Sequence, residues 1–513
     1  MPFSSRACQT CKIRRVKVGH HPFDGDRSHP LTQIQCDETK PTCLRCSGSG
    51  KICLFASVVE QPGFVFNLEN AYASGKVKRP RGPRSCLTSL RPRFDLEARA
   101  VAYYLQDHVF VSDDVPDVVQ SLCTYVGVWK GSGVESTMVD LALSAASLAV
   151  FSRVKQHPQA GAEAAAKYSV LLQLLKERIT DMELASWDNS NEIDACLLTM
   201  FLMGRYEAAM PPTSSTVSES LQRYFHHEGA LAVLKAWVQR PNQPRVTPIV
   251  KLGRRGLIRS SLLRKIPLPN WILEGERFGE QDREMVFDRV LVGAVNLHHD
   301  TGLLLQRNDG LSPSAVLALL GQARGYDESL RDWAKSLPPT WSYQRHTLTD
   351  PGPWPKRHFY SPTAYNFQTV GQASVWSQYF AARMLINSTR LKLLDIARRP
   401  SYLGSQYGQS EWLESSILLN SMADRLAFTI PFALGRLEVS QTSDAETLAT
   451  AKSDKDMKPS LAALVVWQLT LAASIERVDP KQQRWFRSET AQLGRRIGNH
   501  VLESAEVGGW LVL

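Results

Sequence analysis

Residues 7–17 read ACQTCKIRRVK and residues 36–53 read CDETKPTCLRCSGSGKIC, and these two segments hold six of the nine cysteines in the 513-residue chain. The six form two C-x2-C pairs and two single cysteines. Paired thiolates from one tight turn can reach one tetrahedral zinc ion without strain. Six thiolates are too few for two separate four-sulfur sites, but they suffice for two Zn²⁺ ions that share two sulfurs. The predicted zinc ligands are Cys8, Cys11, Cys36, Cys43, Cys46 and Cys53.

The positive charge of the chain is concentrated beside these cysteines. Residues 1–100 contain 17 Lys and Arg against 8 Asp and Glu, whereas the remaining 413 residues contain 43 against 42. A basic end on a nearly neutral body is typical of a polyanion-binding module joined to an ordinary globular domain. The charge distribution therefore predicts a polyanion, such as double-stranded DNA, as the partner.

The cysteine segments resemble the fungal Zn2Cys6 binuclear-cluster transcription factors, whose pattern is C-x2-C-x6-C-x(5–12)-C-x2-C-x(6–9)-C. This chain reads C-x2-C-x24-C-x6-C-x2-C-x6-C, so four of its five gaps fit. The resemblance implies that Cys8 and Cys43 bridge the two ions. It also implies a nuclear regulator of transcription by RNA polymerase II that recognises CGG-type half-sites.

The one gap that departs from the family pattern has a definite position. Removal of residues 18–35 would join Lys17 to Cys36 and restore six residues between the second and third ligands. The segment begins Val-Gly and ends in Gln, which is compatible with intron donor and acceptor codons. Our hypothesis is that residues 18–35 are a translated, retained intron. The alternative is a genuine loop insertion.

A short basic run follows the second cysteine and contains no Gly or Pro, so it can form a turn or two of helix. By resemblance to the family, this helix enters the major groove, and Arg14 and Arg15 contact bases. The planar fork of an arginine suits guanine O6 and N7. Lys12 and Lys17 are better suited to phosphate contacts, which supply affinity and salt dependence.

Two other interpretations of the cysteines stay open. In one, Cys8, Cys11, Cys43 and Cys46 form a single four-cysteine zinc site and the other two cysteines are unused. In the other, the zinc module is a protein-interaction scaffold without sequence-specific DNA binding.

The zinc module (residues 1–57) is followed by a basic, Pro- and Gly-interrupted linker over residues 58–94, which indicates an extended segment or a nuclear import signal. The linker shows no sustained heptads, so dimerisation by a coiled coil is not expected. Binding to a single half-site and a homodimer formed through the body both stay open. The sequence lacks a secretory h-region, and its longest uncharged apolar stretch, Leu461–Ile475, is shorter than the ~20 residues of a membrane span. The scattered Cys86, Cys123 and Cys196 indicate thiols in a reducing compartment and not a disulfide framework.

Residues 95–513 show helical periodicity and few alternating strand patterns. We therefore expect a mostly α protein, in which the small zinc module precedes a large all-helical domain. Further helices are predicted near residues 138–152, 168–179, 193–206, 218–238, 281–306, 312–337, 364–398, 410–431, 459–476 and 481–504.

Residues 197–207 (LLTMFLMGRYE) and 227–234 (HEGALAVL) resemble the fungal-specific regulatory domain that follows many such zinc clusters. That resemblance covers roughly residues 95–480 and implies that the body controls transcriptional output. His227 is interpreted as a buried structural histidine. The body has no Walker loop, G-x-S-x-G or H-E-x-x-H motif, so we do not expect an enzyme. An effector pocket between helices is conceivable, but the sequence names no ligand.

Overall fold

The structure is a computed structural model of the chain. It describes Cys8, Thr10 and residues 17–18, 35–36, 39–53, 95–108, 122–182, 190–210, 225–240, 245–306, 312–349, 352–399, 403–441, 447–452 and 457–513. The chain divides into two compact units, Met1–Arg91 and Pro92–Leu513. The predicted linker, residues 58–94, lies outside the described residues.

The N-terminal unit contains a short parallel pair of strands, β1 (Lys17–Val18) and β2 (Gln35–Cys36), with Val18 opposite Cys36. One short helix, α1 (Leu44–Gly48), follows. Cys43 caps this helix, because its sulfur accepts a hydrogen bond from the Cys46 amide. The buried core among the described residues of this unit consists of cysteines, with no aliphatic side chain between them.

The second unit is a large helical body. Its α-helices are α2 (Leu96–Asp107), α3 (Leu122–Gly131), α4 (Thr137–Lys155), α5 (Pro158–Met182), α6 (Ser190–Ala209), α7 (Phe225–Val238), α8 (Pro248–Arg264), α9 (Asp282–Gln306), α10 (Pro313–Lys335), α11 (Val370–Ala397), α12 (Gln409–Ala433), α13 (Pro459–Ser474), α14 (Pro480–Ile497) and α15 (His500–Glu503). Two antiparallel hairpins pair β3 (Gln344–Thr347) with β4 (Thr363–Asn366), and β5 (Leu437–Gln441) with β6 (Thr447–Ala451). The predicted fold class, mostly α with a small cysteine module before a helical body, is confirmed.

The longest helix, α11, runs through the core and packs against α9, α10, α12 and α13. It is buried along almost its whole length, including its polar residues. Arg383 forms a bidentate pair with Asp327 of α10, at 2.8 and 2.7 Å, and Asn387 donates to the same carboxylate at 2.9 Å. Because buried charge is tolerated when it is paired and hydrogen-bonded, α11 can be central in spite of these groups.

Helix α4 is long and apolar enough to cross a membrane by length and composition alone. In the structure 61% of its most apolar window is buried among the other helices. It packs chiefly against α5 and α6 and contributes Leu148, Ala149 and Val150 to the core. The sequence analysis predicted no spanning segment, and α4 occupies the place of a core helix.

Several predicted helices agree with the structure to within a few residues, and others differ. Helices α2 and α3 were not among the predicted helices, and α5 begins at Pro158 although its helix was predicted only over residues 168–179. Residues 364–366 form strand β4 instead of the start of a helix, because they pair with β3, and α11 begins only after the Thr369 cap. The helix predicted to end at residue 504 stops at Ile497, where Gly498 has a φ of 69°. Helix α7 begins at Phe225, and the residues before it lie outside the described part. Helix α8 was not predicted.

Candidate metal centre

The described sulfurs of the N-terminal unit come from three separate places in the chain. Cys43 and Cys46 lie at the start of α1, where the Ser47 amide donates to the Cys43 carbonyl at 3.0 Å. Cys53 returns to this turn, since the Cys43 amide donates to the Cys53 sulfur at 3.3 Å. Cys8 arrives from the N-terminal side of the chain.

Four of these sulfurs converge. The Sγ atoms of Cys8, Cys43, Cys46 and Cys53 all lie within 4.8 Å of one another. The Cys8 sulfur is 3.8 Å from the Cys43 sulfur and 3.8 Å from the Cys46 sulfur. A zinc–sulfur bond of about 2.3 Å in a regular tetrahedron gives sulfur–sulfur edges of about 3.8 Å. The described sulfurs therefore fit a tetrahedral metal ion, and this cysteine cluster could hold one.

Cys36 stands next to this group without belonging to it. Its sulfur lies 4.0 Å from that of Cys8, and it is fully buried. The Cys8 sulfur therefore lies within 4.0 Å of three other sulfurs, those of Cys43, Cys46 and Cys36.

The surroundings of the thiols suit metal binding. Cys8, Cys36, Cys43 and Cys46 are completely buried, and Cys53 is partly exposed. Burial raises the pKa of Cys53, but the hydrogen bond from the Cys43 amide and the contacts with neighbouring thiols outweigh it, so the pKa lies below its ordinary value. A thiolate is the form that binds metal. The buried core of the described part of this unit is made of cysteines, and a metal ion held by these thiolates would stabilise it.

The predicted site residues differ in how much the structure says about them. Cys11, Lys12, Arg14 and Arg15 lie outside the described residues. Lys17 is described only through its backbone, in β1. The parallel pairing of β1 with β2 sets Val18 beside Cys36, so the chain returns next to the position from which residues 19–34 depart.

The membership of Cys53 bears on the alternative single-site interpretation. That interpretation leaves Cys36 and Cys53 unused, whereas the described sulfurs place Cys53 inside the four-sulfur group and Cys36 beside it. Cys11, the fourth ligand of that single site, lies outside the described residues, so this alternative stays a prediction.

One contact at this centre carries no sequence signal. The Thr10 hydroxyl donates to the Ile52 carbonyl at 2.8 Å and so connects the segment of the first cysteine to that of the last. A single threonine between two cysteines has no distinctive pattern, which explains why sequence reasoning did not single it out.

Comparison with known proteins adds no relative to this description. No protein-family model, no curated protein and no solved structure matches the chain.

Proposed function

We propose that this protein is a zinc-dependent, sequence-specific DNA-binding regulator of transcription, of the fungal Zn2Cys6 type, that acts in the nucleus. The observation that carries the proposal is the convergence of Cys8, Cys43, Cys46 and Cys53, with Cys36 4.0 Å from Cys8. A single four-sulfur site has no use for a fifth neighbouring sulfur. Two ions that share sulfurs do.

The proposed ligand sets follow from these neighbours. One Zn²⁺ is held by Cys8, Cys43, Cys46 and Cys53, whose sulfurs lie within 4.8 Å of one another. The second is held by Cys36 and Cys11 together with the two shared cysteines, Cys8 and Cys43. This assignment agrees with the bridging pair that the family resemblance implies, and it uses each of the six cysteines.

In the proposal the zinc module presents the basic run to DNA. Arg14 and Arg15 read base edges in the major groove, and Lys12 and Lys17 contact phosphates. The charge distribution supports this role, because residues 1–100 carry a net charge of +9 and the rest of the chain only +1. The helical body then controls the output, and it carries no catalytic role in this proposal.

The test is selection of binding sites by the full-length, zinc-loaded chain from a random duplex pool, followed by affinity measurements for the Arg15→Ala variant. We expect enrichment of CGG-containing sites. Loss of one base-reading arginine should cost about 1–3 kcal/mol on the selected site and less on random DNA.

The matched control is Lys51→Ala, which removes one exposed positive charge of the same unit outside the basic run. It should leave the ratio of specific to random binding unchanged. Equal losses on specific and random DNA for Arg15→Ala would refute the base-reading role. A wild-type chain that enriches no sequence would instead favour the protein-interaction scaffold.

A further inference from the structure

The body contains a cavity of about 350 Å³ between α6, α7 and α8, which we call the α6–α8 cavity. Its walls are mostly apolar side chains, which include Met200 and Phe201 of α6, Ala230 of α7 and Leu257 of α8. The volume falls in the range of small-molecule sites, which are apolar clefts with a few placed polar groups.

Two glycines line this cavity, Gly204 on α6 and Gly256 on α8. A Cβ atom added at either position would meet nothing within 4 Å. One turn earlier on α8 the packing is close, because a Cβ at Gly253 would lie 3.4 Å from Leu234 and 3.4 Å from Phe201. The helices therefore touch at Gly253 and separate at Gly256. A glycine inside a helix is less favourable than alanine, and close packing does not account for these two glycines.

His227 is a buried polar side chain of the lining. His227 of α7 is 7% exposed, and its Nδ1 has no hydrogen-bond partner among the described residues. Burial lowers the pKa of His227 to about 4, with the charge of Arg264 acting in the same direction and Glu228 opposing it. The ring is therefore neutral near neutral pH, and its Nδ1 can form one further hydrogen bond. A buried polar atom without a partner is destabilising, and a ligand that forms a hydrogen bond with it recovers that free energy.

The formal charge in the described lining is positive. Arg259 of α8 lines the cavity, and its guanidinium lies 5.3 Å from the centre of the Trp467 ring. Burial, reinforced by Arg255, lowers the pKa of Arg259 to about 10, so it is still protonated near neutral pH. A partly desolvated cation stabilises an anion placed beside it.

We propose that the α6–α8 cavity binds a small amphipathic acid, with an apolar body between the helices and a carboxylate near His227 and Arg259. The apolar walls favour the apolar part of the ligand, and the arginine favours an anion over a neutral molecule of the same shape. This site lies within the helical body and does not depend on the proposed DNA-binding function.

The experiment uses the full-length chain, with decanoate and the neutral 1-decanol as probes in isothermal titration. The wild type should bind decanoate in a saturable one-to-one complex, about tenfold or more tighter than decanol. Arg259→Met should remove most of this preference and leave decanol binding within about twofold. Absence of saturable binding of either probe would overturn the proposal and would indicate that the chain itself fills the cavity.

The location of the site is tested by filling it. Gly256→Leu should weaken decanoate binding by about tenfold or more, since the new side chain occupies the open space. Gly321→Leu is the matched control, because Gly321 also lies inside a helix with nothing within 4 Å of an added Cβ. It should bind as the wild type does. Both variants replace a helical glycine with a better helix former, so their melting temperatures should not fall.

Gly204→Met fills the same cavity from α6 and should also weaken binding by about tenfold. This second variant tests the location of the site if circular dichroism shows that Gly256→Leu is unfolded. Wild-type affinity in a folded cavity-filling variant would place decanoate elsewhere and overturn the assignment.

Discussion

At the scale of single residues, Cys53 is a ligand in one interpretation of the metal centre and unused in the other. It belongs to the group of sulfurs within 4.8 Å of one another, and its sulfur accepts a hydrogen bond from the Cys43 amide. The sequence alone made Cys53 a ligand through family spacing, whereas the two C-x2-C pairs suggested a site without it. Spacing states how far apart ligands are along the chain, and only the fold brings residue 53 back to residue 43.

We expect Cys53→Ser to lower the zinc content of the full-length chain by about one ion, because one tetrahedral site loses a thiolate. Elemental analysis of protein purified with zinc checks this. Cys196→Ser is the control, since Cys196 is a buried thiol of the helical body outside the cluster. Unchanged zinc content in Cys53→Ser would contradict the role of this residue.

A second residue-scale prediction concerns pH. Burial, with the nearby charges of Lys392, Lys265 and His299, lowers the pKa of His298 from 6.5 to about 3. Below pH 6.5 the imidazole of His298 is therefore protonated in the unfolded chain, whereas in the folded chain it becomes protonated only near pH 3. Stability is fully present above pH 6.5 and is lost as the pH falls, by about 1.4 kcal/mol per pH unit for this one group.

We expect His298→Gln to flatten the dependence of the unfolding free energy on pH by about one proton between about pH 4 and pH 6. Urea unfolding at a series of pH values measures it. Thr389→Val is the control, because it removes the partner of His298 Nδ1, 3.3 Å away, without removing a titratable group. The control should lower stability by a similar amount at each pH. If the unfolding free energy of His298→Gln depended on pH as steeply as that of the wild type, His298 would not have a lowered pKa in the folded protein.

At the scale of elements, the sequence predicted helices well where periodicity and end signals coincided. Helices α10, α13 and α14 each begin at a proline, and their predicted starts lie within one residue of the observed ones. Proline is favoured in the first turn of a helix, so these starts carry a local signal.

The prediction failed for α8 because two arginines of that helix are buried and form ion pairs with acidic residues outside it. Arg254 is fully buried and pairs with Asp288 of α9 at 2.6 and 2.9 Å, and Arg255 pairs with Glu280 at 2.7 and 2.5 Å. A pattern that treats each arginine as solvent-facing finds no apolar stripe here. The partners lie more than twenty residues along the chain, and no local rule supplies them. Because α8 was not predicted, the α6–α8 cavity that it lines could not be predicted either.

Close approach between elements gives the next prediction. A Cβ at Gly494 of α14 would lie 2.6 Å from the backbone nitrogen of Glu503, which belongs to α15. The backbone of Glu503 cannot move away from the added Cβ as a flexible side chain could. We therefore expect Gly494→Ala to destabilise the protein by about 1–3 kcal/mol, although alanine is the better helix former.

Thermal unfolding of the full-length chain measures this effect. The matched control is Gly321→Ala on α10, where an added Cβ meets nothing within 4 Å. There the gain in helix propensity should act alone and stabilise the chain by about 0.5–1 kcal/mol. If both variants shifted the melting temperature in the same direction, close packing of α14 on α15 would not be the reason for glycine at residue 494.

At the scale of the whole molecule, the remaining question is whether residues 18–35 belong to the working protein. The backbone on both sides of this segment lies in paired parallel strands, with Lys17 opposite Gln35 and Val18 opposite Cys36. Paired strands lie about 4.8 Å apart. Deletion of residues 18–35 would therefore move Cys36 by roughly one strand spacing, into the position of Val18. A longer loop between the second and third ligands, 24 residues instead of 6, adds only about 1.2 kcal/mol of closure entropy.

We expect the chain that lacks residues 18–35 to bind two zinc ions and to select CGG-type sites more sharply than the chain as given, because Cys36 then fixes the end of the basic run directly. Zinc analysis and site selection on both full-length forms measure this. If residues 18–35 are a retained intron, sequencing of transcripts should show a major message shorter by 54 nucleotides, three for each of the 18 residues. A major message that contains the segment, together with equal zinc content and equal site selection by both forms, would establish a genuine insertion that the zinc centre tolerates.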